Sequence, residues 1–429
     1  MGLAGALRRS SCPRALREEA MSHLAVIGAG ITGVTTAYAL ARNGHRVSVI
    51  ERERYPAMDT SFANGGQLSA SNAEVWNHAS TIAKGLKWMV RRDAPLLLNP
   101  MPSWHKYSWI AEFLGEIRNY RANTVATARL AVLARRLLIE TAARENIDFD
   151  LEQRGILHVY RDRAGFEHAG RVNALLAEGG LERRAVTPEE MRAIEPALEG
   201  AFHGGFYTPS DATGDIHRFT RGLAHACRRQ GVAFLHEAKV EAVTADGAGV
   251  RIRWSQAGPQ AGAAEVLEAD GVVICAGIAS RALAAQLGDR VNIYPVKGYS
   301  ITVHLDDAES QAGAPWVSLL DDATKIVTSR LGRERFRVAG TAEFAGENRD
   351  IRAERIAPLV RWVRTLFPGV GTGRIQPWAG LRPMTPSMMP RVGPGRRPGV
   401  WYNTGHGHLG WTLSAGTAHL IAEAIGAAR

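Results

Sequence analysis

Cysteine is scarce. Cys12, Cys227 and Cys275 are the only three in 429 residues, and no two stand at a metal-ligand or paired spacing. That excludes a disulfide framework and a CxxC-type zinc site, and it fits a reducing compartment. No apolar run approaches the roughly twenty residues a membrane-spanning helix needs. The first twenty residues hold arginines but no continuous apolar core, so they do not read as a secretory signal. They read as a disordered extension ahead of a fold that begins at Met21. Internal repeats, low-complexity tracts and nucleic-acid modules are also missing. The net charge of +10 therefore speaks for anionic cofactors or acidic lipid surfaces, with no nucleic-acid partner expected.

What is present begins at Leu24. An apolar run, Leu24-Ala25-Val26-Ile27, enters the turn Gly28-Ala29-Gly30-Ile31-Thr32-Gly33. A small-residue helix follows and stops at Asn43-Gly44. A second apolar run, Val47 to Ile50, ends in Glu51. This is a strand, a phosphate-binding turn, a helix and a parallel strand. Gly28 serves the tight turn, Gly30 lets backbone approach a pyrophosphate, and Gly33 lets the helix lie close on the sheet. The helix N-terminus offers free N–H groups to the phosphate, and Glu51 stands where an acid would bond a ribose hydroxyl. The motif alone does not separate NAD from FAD.

Farther on, Thr60 to Ser69 is small, polar and glycine-rich, as a loop around a large polar ligand would be. From Glu74 to Ile117, Trp76, Trp88, Trp104 and Trp109 lie among Lys84, Lys87, Arg91, Arg92, His105 and Lys106. That mixture suits either a membrane interface or a helix pair with core aromatics. Helices are expected over Arg118–Asn146, Phe166–Glu178, from Thr187 with Pro188 at the first helical position, Arg218–Gly231, Arg352–Phe367 and up to Ala427. The apolar strand Gly271 to Gly277 belongs in a parallel sheet. Gly298–Val303, Lys325–Ser329 and Phe336–Thr341 alternate as antiparallel strands do. Cofactor-type pieces at the start, middle and end interleave with substrate-type pieces. The expected fold is therefore α/β, a discontinuous Rossmann-like domain with a second α+β domain on an antiparallel sheet. The boundaries read as 1–20 for the extension, 21–75, 205–288 and 376–429 for the cofactor domain, and 76–204 and 289–375 for the substrate domain.

Several segments together resemble the FAD-dependent D-amino-acid oxidase superfamily, and within it the bacterial D-amino-acid dehydrogenases of small-subunit type. They are the glycine turn with Glu51, Ser61 to Ser69, Leu86-Lys87-Trp88-Met89 with Ala94-Pro95-Leu96, and Glu195-Pro196-Ala197-Leu198. Thr213-Gly214-Asp215, Tyr294 to Ser300, Gly380 to Pro386 and Asn403 to Thr412 complete the set. The resemblance implies FAD. It places Glu51 and Arg52 near the adenosine ribose, and Ser61, Asn64, Gly65, Gly66, Gln67 and Leu68 along the pyrophosphate and flavin. It sets Val240 at the adenine, Ala276 and Gly277 near the pyrophosphate, and Gly380 beside the flavin. His408, Leu409, Gly410, Trp411 and Thr412 would aim N–H groups at the flavin's N1/O2 edge, where reduced flavin carries negative charge.

Arg382 matches the arginine that grips the substrate carboxylate in related amine oxidases. Its fork would hold both oxygens and so fix the direction of the Cα–H. Tyr299, Lys325 and His406 are further pocket candidates. The implied reaction is oxidation of a D-amino acid, or a similar α-amino or imino acid, by hydride transfer to the flavin N5. A 2-oxo acid and ammonia follow, and electrons pass to a quinone or another acceptor. No side-chain base is required. The chain departs from the family at Ser387-Met388, where relatives carry an acid and a glycine. Residues 376–390 hold no Cys and 60–70 no His, so FAD is expected to be non-covalent. The expected location is cytoplasmic, with the tryptophan-rich segment as contact to the inner face of the membrane. Two other readings remain open: an oxygen-using glycine, sarcosine or proline-type oxidase, and a flavin-binding subunit without turnover.

Overall fold

The computed structural model describes residues 21–78, 96–99, 101–257 and 263–428. The extension, Lys84 to Arg92 and Cys12 lie outside the described residues, as does most of Leu86 to Leu96. A six-stranded sheet runs in the order Arg391–Pro394, Val400–Thr404, Gly271–Ile274, His23–Ile27, Arg46–Ile50, Ala233–Leu235. All neighbours are parallel except the first pair. His23–Ile27 and Gly271–Ile274 are apolar at consecutive positions because both faces are covered. Leu24 and Val26 point into a layer built from helices Ile31–Arg42, Ile216–Arg229 and Gly410–Ala427. Ala25 and Ile27 point the other way. There they meet a three-stranded antiparallel sheet (Ala238–Ala245, Val250–Gln256, Glu265–Ala269) and the short helix Ser280–Gln286.

A nine-stranded sheet forms the second layer system. Its order is Ile375–Met384, Tyr294–His304, Arg335–Phe344, Ile326–Leu331, Ser318–Asp321, Ile156–Tyr160, Gly204–Thr208, Arg184–Val186. Leu96–Leu98 joins Arg335–Phe344 in parallel, and Ser318–Asp321 joins Ile156–Tyr160 in parallel. The other pairs are antiparallel. One face packs on helix Ala353–Leu366 around Leu359, Val363 and Phe336. The other face is turned toward the cofactor-type sheet.

Local signals account for the helix starts. Thr187 and Glu190 close a reciprocal cap with Pro188 in the first turn. Asp215 accepts from the N–H groups of His217 and Arg218 and starts its helix two residues earlier than the pattern suggested. Helix Tyr120–Glu145 lies against Gly410–Ala427, where Gly416 faces Ala134 with no room for a Cβ. Strands Gly204–Thr208 and Ile375–Met384 belong by hydrogen bonding to the nine-stranded sheet. The sequence reading grouped them with the cofactor domain. Pro377, Gly380 and Pro383 speak against a strand there, and the sheet tolerates them because the strand is at its edge.

Candidate active site

The glycine turn is built by two contacts that only glycine allows. Gly28 has φ +101°, and a Cβ on it would lie 2.8 Å from the Cys275 carbonyl oxygen. A Cβ on Gly33 would lie 1.8 Å from the Gly28 carbonyl oxygen, so the helix sits directly on the turn. Gly30 precedes the helix with no side-chain cap of its own. The Ile31 N–H is taken by the Ser61 hydroxyl at 3.0 Å. Glu51 accepts from the N–H of Ala29 at 2.5 Å and of Glu53 at 3.0 Å, tying the acid to the turn. Burial pushes its carboxyl pKa up, against the pull of those N–H groups and Arg52.

A cavity of about 800 Å³ runs from this turn to the face of the nine-stranded sheet. That volume suits a large cofactor and a small substrate together. Gly28, Gly30, Ile31, Thr32, Glu51 and Arg52 line its first part, with Val240, Ala276 and Gly277 opposite. Ser61, Asn64, Gly65, Gly66 and Gln67 line its middle. Asn64 accepts from the Gly66 N–H at 2.9 Å, a local turn that turns the loop along the cavity. The Gln67 side chain donates to Ser318 and Leu319 of the second sheet, while its carbonyl accepts from Thr412. One residue thus joins the second sheet to the last helix. Gly380, His408, Leu409, Gly410, Trp411 and Thr412 close the far end. The last helix begins there without a side-chain cap, which leaves its first N–H groups for a ligand. Ala29, Gly33 and Leu68 do not line the cavity. Ala29 and Leu68 are core residues, and Gly33 serves helix packing.

The two-residue period of the second sheet decides what it presents. Trp378, Gly380 and Arg382, then Gly298 and Ser300, then Ala339 and Thr341, face the cavity. Arg382 reaches across its neighbour strand and lies over Gly298, where a Cβ would fall 2.3 Å from the guanidinium carbon. Its Nη1 donates to the Thr341 carbonyl at 3.0 Å, and it forms no salt bridge among the described residues. Burial alone draws its pKa down to about 10, so it stays charged at neutral pH. Thr341 is held at φ +60° beside a break in strand register between Lys297 and Tyr299. A β-branched residue in that conformation is strained, and here the strain turns a carbonyl toward the arginine. Gly298 and Thr341 are site features that composition and periodicity do not reveal as such; the conformation of Thr341 leaves no mark in the sequence.

The remaining candidates are placed differently. Tyr299 alternates with Gly298 and Ser300, so its ring enters the core on the opposite face, and its hydroxyl bonds Glu343 at 2.9 Å. Tyr299 nonetheless borders the cavity. His406 lines the cavity, but its Nε2 is engaged by Thr417 at 2.9 Å. Lys325 lines the cavity and pairs with Asp322. His408 stacks on Trp76, centroids 4.8 Å apart, and its Nε2 has no partner among the described residues. Burial, and then Arg382, hold its pKa down to about 3, so the ring is neutral. Trp109 is buried and donates to Met384 at 2.8 Å, whereas Trp104 is 86% exposed. The segment therefore serves the core and the surface at once. Met388 has φ +64°, the conformation that suits the glycine of related chains.

A family model described as FAD dependent oxidoreductase matches residues 23–424. The D-amino acid dehydrogenase 3 of Mesorhizobium japonicum is 62% identical over 405 residues, covering 94% of this chain and 97% of its own. The D-amino acid dehydrogenase of Paramagnetospirillum magneticum is 44% identical over 411 residues, covering 93% and 94%. Among solved structures, glycine oxidase from Bacillus cereus superposes with a TM-score of 0.72 at 20% identity, covering 95% and 96%. L-proline dehydrogenase from P. horikoshii gives 0.73 at 16% identity, covering 95% and 94%. At those identities the structures speak for the fold alone.

Proposed function

The chain belongs to the family of FAD-dependent oxidoreductases, and from that membership we propose that it is a D-amino-acid dehydrogenase. It oxidises the Cα–N bond of a D-amino acid to an imine, which water converts to a 2-oxo acid and ammonia. The observation that carries this reading is Arg382, a partly buried guanidinium with no carboxylate partner among the described residues, in the same cavity as the glycine turn. FAD, when bound, supplies the acceptor for the hydride and both electrons. The cradle at Gly28 and Gly33, the Glu51 carboxylate and the uncapped last helix fit such a cofactor. Thr32 would offer its N–H group to the cofactor's phosphates, Glu51 would meet its ribose, and residues 408–412 would face the flavin. Arg382 would hold the substrate carboxylate and so orient the Cα–H, with positioning as the main catalytic device. FAD is held non-covalently.

Electrons pass to a quinone. Purified protein given D-alanine and a soluble quinone should form 2-oxo acid, ammonia and quinol in equal amounts. Stoichiometric peroxide in air would favour an oxidase instead, and no product with any D-amino acid would overturn the assignment.

A quinone acceptor implies work at a membrane surface, and helix Trp104–Gly115 offers a suitable face. Trp104, Tyr107 and Leu114 are exposed at helical spacing, with Met101 just before them. Lys84, Lys87, Arg91 and Arg92 are close in sequence and cationic. This face would rest on the inner leaflet, aromatic groups at the headgroup level. The protein should float with anionic vesicles at low salt, and Trp104→Ala with Tyr107→Ala should leave it at the bottom of the gradient. Wild-type protein that stays down removes the contact.

A further inference from the structure

The sheet face that carries the Arg382 guanidinium carries a second polar cluster in the same cross-strand row. Just before strand Ile326–Leu331, Lys325 lies against Gly340, next to Thr341: a Cβ on Gly340 would stand 3.1 Å from the Lys325 carbonyl oxygen. On its other side Thr341 neighbours Gly298, over which the guanidinium lies. The backbones at Gly298 and Lys325 are therefore about 10 Å apart, two strand spacings. That gap matches a small amino acid with its carboxylate on one head.

The far wall is polar and its charges balance, with Lys325 and Arg183 set against Asp322 and Glu74. Lys325 borders the cavity with its side chain 46% exposed, and it pairs with Asp322. Glu74 also borders the cavity, accepts from the Tyr120 hydroxyl at 2.7 Å, and pairs with His168 at 3.4 Å. Tyr160 completes the wall and accepts from Arg183 at 3.0 Å. The ammonium and the Glu74 carboxylate thus have partners, yet their remaining donor and acceptor sites open into the cavity. An aliphatic side chain would strip water from them and return nothing. A charged side chain would add a charge with no counter-charge left over. A neutral hydroxyl or amide replaces the lost water bonds.

We propose that Lys325, Asp322, Glu74 and Tyr160 form the side-chain subsite, and that it selects D-amino acids whose side chain bears a neutral hydroxyl or amide. The proposal rests on Arg382 as the carboxylate holder. Isosteric pairs test it: D-threonine against D-valine, and D-asparagine against D-leucine. The polar member should have the higher kcat/KM by about 100-fold, since sites built for hydrogen bonds reject analogues that lack them. Lys325→Met and Glu74→Gln should each narrow that ratio to below about tenfold. Calorimetry on the holoenzyme gives a readout without turnover: succinamate should bind more tightly than its isostere 4-methylpentanoate. D-leucine and D-valine used as well as their isosteres would refute the subsite while leaving the proposed function standing. An unchanged ratio in both variants would refute it as well. A panel in which no D-amino acid reacts would refute both.

Discussion

Arg382→Met should lower kcat/KM for D-amino acids by about 1,000-fold, with flavin content unchanged. The guanidinium is partly buried, carries its charge and, among the described residues, donates to one neutral carbonyl, that of Thr341. A buried cation with so few partners is costly unless a ligand anion completes it. A carboxylate offers two parallel charge-assisted bonds to the fork, and losing them is worth about 4 kcal/mol. Methionine keeps the volume over Gly298, so the sheet should hold its shape. Arg382→Lys should recover only part of the loss, because an ammonium keeps the charge and not the fork. Steady-state kinetics beside the flavin-to-protein ratio checks this. A variant that retains wild-type kcat/KM would remove Arg382 from substrate binding.

Gly33→Ala should abolish FAD retention and lower the melting temperature. The added Cβ would stand 1.8 Å from the Gly28 oxygen and 2.8 Å from its carbonyl carbon. Both are backbone atoms, so no rotamer relieves the clash and the helix must lift off the turn. Such overpacking costs about 3 kcal/mol or more. Gly30→Ala is the useful contrast. Its Cβ would meet only the Ser61 hydroxyl, at 3.4 Å, and its backbone is extended. That variant should melt like wild type yet bind FAD more weakly, since the methyl group intrudes where a phosphate would lie. Equal melting and equal flavin content in wild type and Gly33→Ala would contradict the role given to the turn.

These two sites differ in how legible they were. The turn, its helix and Glu51 form a largely local unit, with Gly30, Gly33 and Glu51 given their tasks by neighbours within about thirty positions and Gly28 alone by a distant one, Cys275. Caps such as Thr187 and Asp215 are equally local. The substrate side is assembled from afar: Ser318–Asp321 pairs with Ile156–Tyr160, and Arg382 meets Thr341 across an intervening strand. Resemblance to a family supplied Arg382, but no pattern in the chain announces that Gly298 makes its bed or that Thr341 is strained toward it. Tyr299, which borders the cavity yet packs into the core, is hard to read for a related reason. An alternating strand has two faces, and which face lines a cavity depends on the partner layer, which the strand's own residues do not name. The nine-stranded sheet hid its edge strand behind two prolines and a glycine for the same cause, because edge position is a property of the whole sheet.

The central claim is that this cavity holds FAD and oxidises D-amino acids at Arg382. Anaerobic titration of the purified flavoprotein with D- and L-enantiomers of the same amino acids tests it most directly. The account predicts that D-enantiomers bleach the visible flavin band, that L-enantiomers leave it intact, and that Arg382→Met protein holds its flavin but bleaches only at much higher substrate concentration. A flavin that no D-amino acid bleaches, or that L-enantiomers bleach equally well, would contradict it.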